Sequence, residues 1–141
     1  MGANQSDVEF KEQTIKSAEN VSFLISNSKY LIEKNQNFSD IINLYTMEKE
    51  NETFNIQYES IIKNDEIVND IELHPKYSRL LLSSLNNGKI NLLEIPESKE
   101  NASKIKSTIK AHDSLVICSS FNPELENIFL SHSNKEIKIW D

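Results

Sequence analysis

The stretch "AHDSLVICSSFNPELENIFLSHSNKEIKIWD" (residues 111–141) decides how this chain reads. It holds three short apolar runs, "SLVICSSF" (114–121), "NIFLSHS" (127–133) and "EIKIWD" (136–141). A turn carrying Pro123 separates the first two, and a short polar turn around Asn134 and Lys135 separates the last two. Short alternating runs broken by turn residues read as antiparallel strands joined by hairpins, because side chains alternate between the two faces of a strand.

Working outward, the same set recurs. Upstream lie "EIVNDIEL" (66–73), "RLLLSSL" (79–85) and "KINLLEI" (89–95), with Pro75 in the first turn and Asn87-Gly88 in the second. Asn-Gly predicts a tight hairpin, since both residues tolerate positive φ. The step from Pro75 to Pro123 matches, to within one position, the step from Leu93 to Trp140. A third, degenerate set reads "NVSFLIS" (20–26), "KYLIEK" (29–34) and "DIINLYT" (40–46), and places Tyr45 one such step before Leu93. Three sets at one period are the signature of a repeat architecture, and the period falls among those of propeller blades. The intervening "NETFNIQYESII" (51–62) and "KIKSTIKAH" (104–112) can each supply a fourth strand. The charged stretches "EKENE" (48–52) and "ESKENASK" (97–104) read as solvated loops, and Val8–Ser22 is the best, though weak, helical candidate. The alternative at this point is an all-β sandwich with similar hairpins.

The last set resembles a WD repeat along its whole length, from Ala111-His112, where the family has Gly-His, to Trp140-Asp141. The resemblance implies an all-β fold, a partial WD-repeat β-propeller of about three four-stranded blades. On that frame residues 1–19 are an N-terminal segment, an outer strand or unstructured; 20–58 are a degenerate blade, 59–103 a second and 104–141 a third. WD repeats tie their strands together with a hydrogen-bonded chain of His, Ser/Thr, Asp and Trp. The matching positions are His112, Ser131 or Ser133, Asn134 and Trp140, with Trp140 expected to be buried. Asn134 stands where the family has Asp, which removes a charge-assisted bond. Leu93 and Tyr45 stand at the tryptophan position of the other two sets, so neither has the full chain.

Composition narrows the chemistry. The net charge of −7 over 141 residues repels phosphate backbones and predicts a protein or peptide partner rather than nucleic acid. Arg79 is the only arginine among 15 basic residues. With only Gly2 and Gly88 there is no glycine-rich phosphate loop. The single cysteine, Cys118, sits in an apolar run and reads as an inert core thiol. His74 reads as a surface turn residue and His112 as the structural histidine of the repeat. His132, between Ser131 and Ser133, has no nucleophile elbow beside it. None of the three histidines has metal-ligand spacing, so no cofactor, metal site or catalytic centre is expected. No apolar run is long enough for a transmembrane helix, and the N-terminus has no apolar core of a secretory signal. "MGANQS" fits the N-myristoylation pattern with Gly2 as acceptor; a start codon followed by a small residue is the simpler reading.

These readings predict a non-catalytic scaffold that binds proteins or peptides through its loops, with Asp65, Glu66 and Asp113 as partner-binding candidates. Within the WD-repeat proteins, "FNPELENIFLSHSNKEIKIWD" (121–141) and "LIEKNQNFSDIINLY" (31–45), through Gln36, Asn37 and Phe38, resemble the peroxisomal import receptors for the type-two targeting signal. That resemblance implies protein transport, a basic and apolar peptide ligand, and a cytoplasmic protein cycling to an organelle surface. The alternative is a structural subunit of a larger assembly of the coat or chromatin type. Because propellers close with about four to eight blades, three units predict an open arc. Such an arc would belong to a longer protein, or close through self-association or another subunit.

Overall fold

The computed structural model describes residues 9–14, 21–35, 40–97 and 103–141. Gly2 and the Gln36, Asn37 and Phe38 positions lie outside the described residues. Eleven strands follow one another: β1 (Val21–Ser26), β2 (Tyr30–Asn35), β3 (Ile41–Glu50), β4 (Thr53–Lys63), β5 (Val68–Leu73), β6 (Leu80–Leu85), β7 (Lys89–Glu94), β8 (Lys104–Lys110), β9 (Cys118–Phe121), β10 (Phe129–His132) and β11 (Ile137–Trp140). They form three antiparallel meanders: sheet 1 in the order β1-β2-β3-β4, sheet 2 in the order β5-β6-β7-β8, and sheet 3 in the order β9-β10-β11. The first strands β1, β5 and β9 approach one another in turn, so the sheets stand side by side from a common inner edge with sheet 2 in the middle.

Sheet 2 shows why the sheets must stack. Its central strand "LLLSSL" has no polar face; Leu81 through Leu85 are all buried. Leu81, Leu85 and Leu93 pack toward sheet 1 against Ile32, Ile42, Leu44 and Ile62. Leu82 and Ile90 point the other way, into a second cluster with Ala111, Val116, Phe121, Phe129 and Trp140. Fully burying one such aliphatic side chain is worth about 1.5–3 kcal/mol, so a sheet with two apolar faces gains by being covered on both sides.

Polar bonds fix the sheets relative to one another. Asn27 Nδ2 of sheet 1 donates to the Ser78 carbonyl of sheet 2 at 3.0 Å. His74 Nε2 of sheet 2 donates to the Glu126 carbonyl of sheet 3 at 2.9 Å. Asn69 Nδ2 donates to the Val116 carbonyl at 2.9 Å, and the Ser119 amide donates to Asp70 Oδ2 at 3.3 Å. Burial pushes the Asp70 and Glu72 carboxyls up from their ordinary range, partly offset by backbone amides of β9 that donate to them.

Several expectations change here. The third unit has three strands, not four, because residues 104–110 pair with β7 and complete sheet 2. The sheets therefore span 21–63, 68–110 and 118–140, so the boundaries expected at 58 and 103 shift. Within "EKENE", residues 48–50 belong to β3, which runs on into a long hairpin turning at Asn51 in the left-handed region (φ 56°). Residues 9–14 are not helical; Gln13 bonds both the amide and the carbonyl of Phe54 on β4. His74 is buried, not a surface turn residue: its Nδ1 accepts the Lys76 and Tyr77 amides at 3.0 Å each, and its ring lies 4.5 Å from that of Phe121.

The Asn87-Gly88 hairpin is present, but of the two residues only Gly88 has positive φ (85°). Its carbonyl accepts the amides of both Ala111 and His112, at 2.9 and 3.0 Å. A Cβ on Gly88 would run into the His112 carbonyl and come within 2.9 Å of the Ser114 carbonyl. Gly88→Ala is expected to cost at least about 1–3 kcal/mol from backbone strain alone. Urea unfolding of the two proteins checks it, and an unchanged midpoint would count against this close approach.

Candidate functional site

The β10–β11 hairpin gathers the predicted repeat residues. Trp140 Nε1 donates to Ser131 Oγ at 2.8 Å, and Ser131 Oγ lies 2.7 Å from His112 Nε2. His112 Nδ1 lies 3.1 Å from Glu136 Oε1. The carboxylate fixes the tautomer: Nδ1 carries the proton and donates to Glu136, so Nε2 accepts from the Ser131 hydroxyl. The bonds run in one direction, from indole to hydroxyl to imidazole to carboxylate. The His112 N–H holds the Glu136 carboxyl below its ordinary range, and Lys138 at 3.5 Å adds to the effect.

Of the two serines, Ser131 occupies the chain. Ser133 is also buried, but its Oγ accepts the Lys135 and Glu136 amides and closes the turn. Asn134 stands outside, its Oδ1 accepting from Ser114 Oγ at 3.2 Å. The acid that reaches His112 is Glu136, two positions further on. Sequence reasoning missed it because the resemblance pointed to position 134, whereas Glu136 lies beyond the turn that Ser133 closes. Trp140 is only partly buried, contrary to expectation, since an open groove runs along its ring.

Distances of this order between Ser, His and Glu match those of a nucleophile, a base and its orienting acid. Here Ser131 is 1% exposed, and its oxygen already accepts the tryptophan N–H. A substrate carbonyl has no path to it, so the arrangement ties β10, β11 and the β8–β9 link together.

The same position in each sheet carries a polar side chain. Strand pairing equates Ser131, which faces Lys138, with Ser83, which faces Asn91, and with Glu33, which faces Asn43. In sheet 1 Tyr45 takes the tryptophan's part, and its hydroxyl donates to buried Glu33 at 2.6 Å. Burial, and then this bond, push the Tyr45 pKa up to about 12. In sheet 2 Leu93 has no donor, and Ser83 Oγ is buried without a partner among the described residues. Asn64, one repeat before His112, accepts from Asn91 instead, and its Nδ2 is also unpartnered among the described residues.

The candidates at the loop end are spread out. Asp65 is exposed and accepts from Asn91 at 3.3 Å, Glu66 caps the Ile67 amide at 2.9 Å, and Asp113 is exposed on the β8–β9 link. Cys118 is half-buried, and its thiol is pushed up by burial and then by Asp70 and Glu72, which disfavours the reactive thiolate. Among the described residues no group of three or more His, Cys, Asp or Glu is placed to hold a metal. No helix among them is long and apolar enough to cross a membrane.

An open groove of about 530 Å³ lies between sheets 2 and 3. Leu80, Leu92, Ser107 and Ile109 form one wall, Phe121, Phe129 and Trp140 the other, with His74 and Tyr77 at one end. It runs beside β11, which is an edge strand among the described residues.

Compared with solved structures, the chain is similar to Sqt1 of Chaetomium thermophilum bound to the N-terminus of the ribosomal protein L10. The TM-score is 0.69 at 12% identity over 86% of this chain and 32% of that one. It is also similar to a chain of the mitotic checkpoint complex, with TM-score 0.62 at 15% identity over 85% of this chain and 34% of that one. The fold is a partial WD-type β-propeller. Each sheet is a blade, and the chain spans about a third of the length of these propellers. No protein-family model and no curated protein matches the sequence.

Two outcomes are expected. Ser131→Ala strands the Trp140 and His112 nitrogens and should cost about 1–3 kcal/mol, whereas Ser83→Ala removes a hydroxyl with no partner and should be neutral or stabilising. Denaturant midpoints for the pair check this contrast. Because the Tyr45 pKa is raised from 10.0, its contribution is complete below pH 10 and is lost as the pH rises toward about 12. The fall in stability over that window should be shallower in Tyr45→Phe, measured by urea unfolding at stepped pH.

Proposed function

We propose that this chain is a non-catalytic binding module that takes an extended peptide segment of another protein as an added strand on blade 3. The observation that carries the reading is the aromatic-lined groove beside β11, an edge strand among the described residues. An edge strand offers main-chain donors and acceptors, and alternate side chains of an added strand would drop into the groove. The ligand that fits has apolar residues at every second position. Similar propellers support a binding role: Sqt1 is solved with the N-terminus of a ribosomal protein, and the other chain sits in a multiprotein complex. The only buried Ser-His-acid arrangement among the described residues is closed to substrate, which supports a role without catalysis.

The finer reading is a receptor for the type-two peroxisomal targeting peptide, acting in the cytoplasm and at the organelle surface. It rests on the sequence resemblance. The net charge of −7 suits a basic and apolar ligand, and Asp65, Glu66 and Asp113 are the acids proposed to meet it. A structural subunit of a coat or chromatin assembly is the alternative, in which β11 and the groove are covered permanently by a neighbour.

Selection of random displayed peptides on the immobilised chain separates these readings. Enriched sequences should alternate apolar residues, and their binding, read by fluorescence anisotropy, should be lost in Ser107→Trp, which fills the groove from exposed β8. For the receptor reading, basic peptides should be preferred and Asp65→Lys with Asp113→Lys should reverse the preference. No enrichment above background would remove the peptide-binding reading and leave the subunit.

A further inference from the structure

The β3–β4 hairpin runs on past the rest of blade 1. The last pairing of β2 with β3 sets Tyr30 opposite Thr46, whereas β3 and β4 go on pairing from Met47 opposite Ile56 to Glu50 opposite Thr53. Beyond Thr46 the hairpin is therefore an arm of two strands. A two-stranded ribbon is marginal in water, and a third strand sharing an apolar face steadies it. Side chains directly opposite one another share a face, so Met47, Lys49, Phe54 and Ile56 form one face of the arm.

Residues 9–14 lie along the outer edge of this arm. Gln13 Nε2 donates to the Phe54 carbonyl at 2.6 Å, and the Phe54 amide donates to Gln13 Oε1 at 2.8 Å. One side-chain carboxamide thus makes both bonds that the main chain of an added strand would make. Lys11 Nζ lies 3.6 Å from Glu52 Oε2. Lys11 and Gln13 are two positions apart, and so are Glu52 and Phe54. The segment therefore runs parallel to β4 in extended spacing, although it is not itself a strand.

Its hold on the arm is light. Lys11 and Glu52 are both exposed, and an ion pair of that kind contributes little. Phe10, the one apolar side chain of the segment, is 93% exposed, so no apolar burial adds to the hold. Glu9 and Glu12 bring negative charge to an arm that carries Glu48, Glu50 and Glu52 against Lys49 alone. Like charges at this separation oppose the contact.

We propose that the outer edge of the arm at Phe54 is a strand-addition site for an extended, basic segment of another protein, and that residues 9–14 hold it in cis as a strap which such a segment displaces. The main chain of the partner takes the two bonds that Gln13 makes. A basic residue two positions earlier meets Glu52, as Lys11 does, without the acids that weaken the strap. The arm gains the third strand it lacks. The site is on blade 1 and shares no residue with the groove between blades 2 and 3.

The test is fluorescence anisotropy with a labelled peptide of residues 9–14 carrying Glu9→Lys and Glu12→Lys, titrated onto the whole chain. Gln13→Ala is expected to bind it about tenfold more tightly than the parent, because losing the cis competitor frees the sites it held. In that variant amide exchange at Phe54, followed by NMR, is expected to be faster than in the parent and to slow again when the peptide is added. Phe54→Pro removes an amide that points away from β3, and is expected to abolish binding with an unchanged far-UV circular dichroism spectrum. Should Phe54→Pro fail to fold, the exchange measurement decides alone. No binding to Gln13→Ala, equal binding to the parent and Gln13→Ala, or binding that leaves Phe54 exchange fast would each overturn the proposal. Ser107→Trp is expected to leave this binding unchanged; its loss there would put the peptide in the groove and overturn the site on the arm.

Discussion

Everything in this fold depends on blades that are apolar on both faces and therefore cannot stand alone. A strand such as "LLLSSL" leaves no face for water. Leu82 and Ile90 are sealed because blade 3 covers them, and Leu81 and Leu93 because blade 1 does. Side-by-side stacking from a common inner edge meets this demand for blade 2, which is covered on both sides.

Polar groups placed between such faces must be paired, and the three blades meet that demand differently. Blade 3 runs an indole, a hydroxyl, an imidazole and a carboxylate in one line. Blade 1 reaches a similar end with Tyr45 on Glu33. Blade 2 has the serine but neither aromatic donor nor histidine, and leaves Ser83 Oγ and Asn64 Nδ2 unpaired among the described residues. The close seat of Gly88 against the His112 backbone ties the blade 2 hairpin to the first link of the blade 3 chain.

The resemblance to a WD repeat implied the meeting of His112 with Trp140 through a serine; the sequence by itself determined the strands, their regular period and the turns at Pro75, Pro123 and Gly88. These are local matters: alternation follows from strand geometry, and a repeated pattern marks a repeated unit. Only the tertiary structure decided the rest. It gave residues 104–110 to blade 2, because a strand joins whichever edge has matching register, and spacing alone is silent on that. It buried His74 against Glu126 and Phe121 of the next blade, a contact across 52 positions that no local motif announces. It put Glu136 rather than Asn134 on the histidine, because Ser133 closes the turn onto the Lys135 and Glu136 amides and Asn134 bonds Ser114 instead. It left Trp140 beside an open groove, since burial depends on which elements are near, and side-chain type does not settle that.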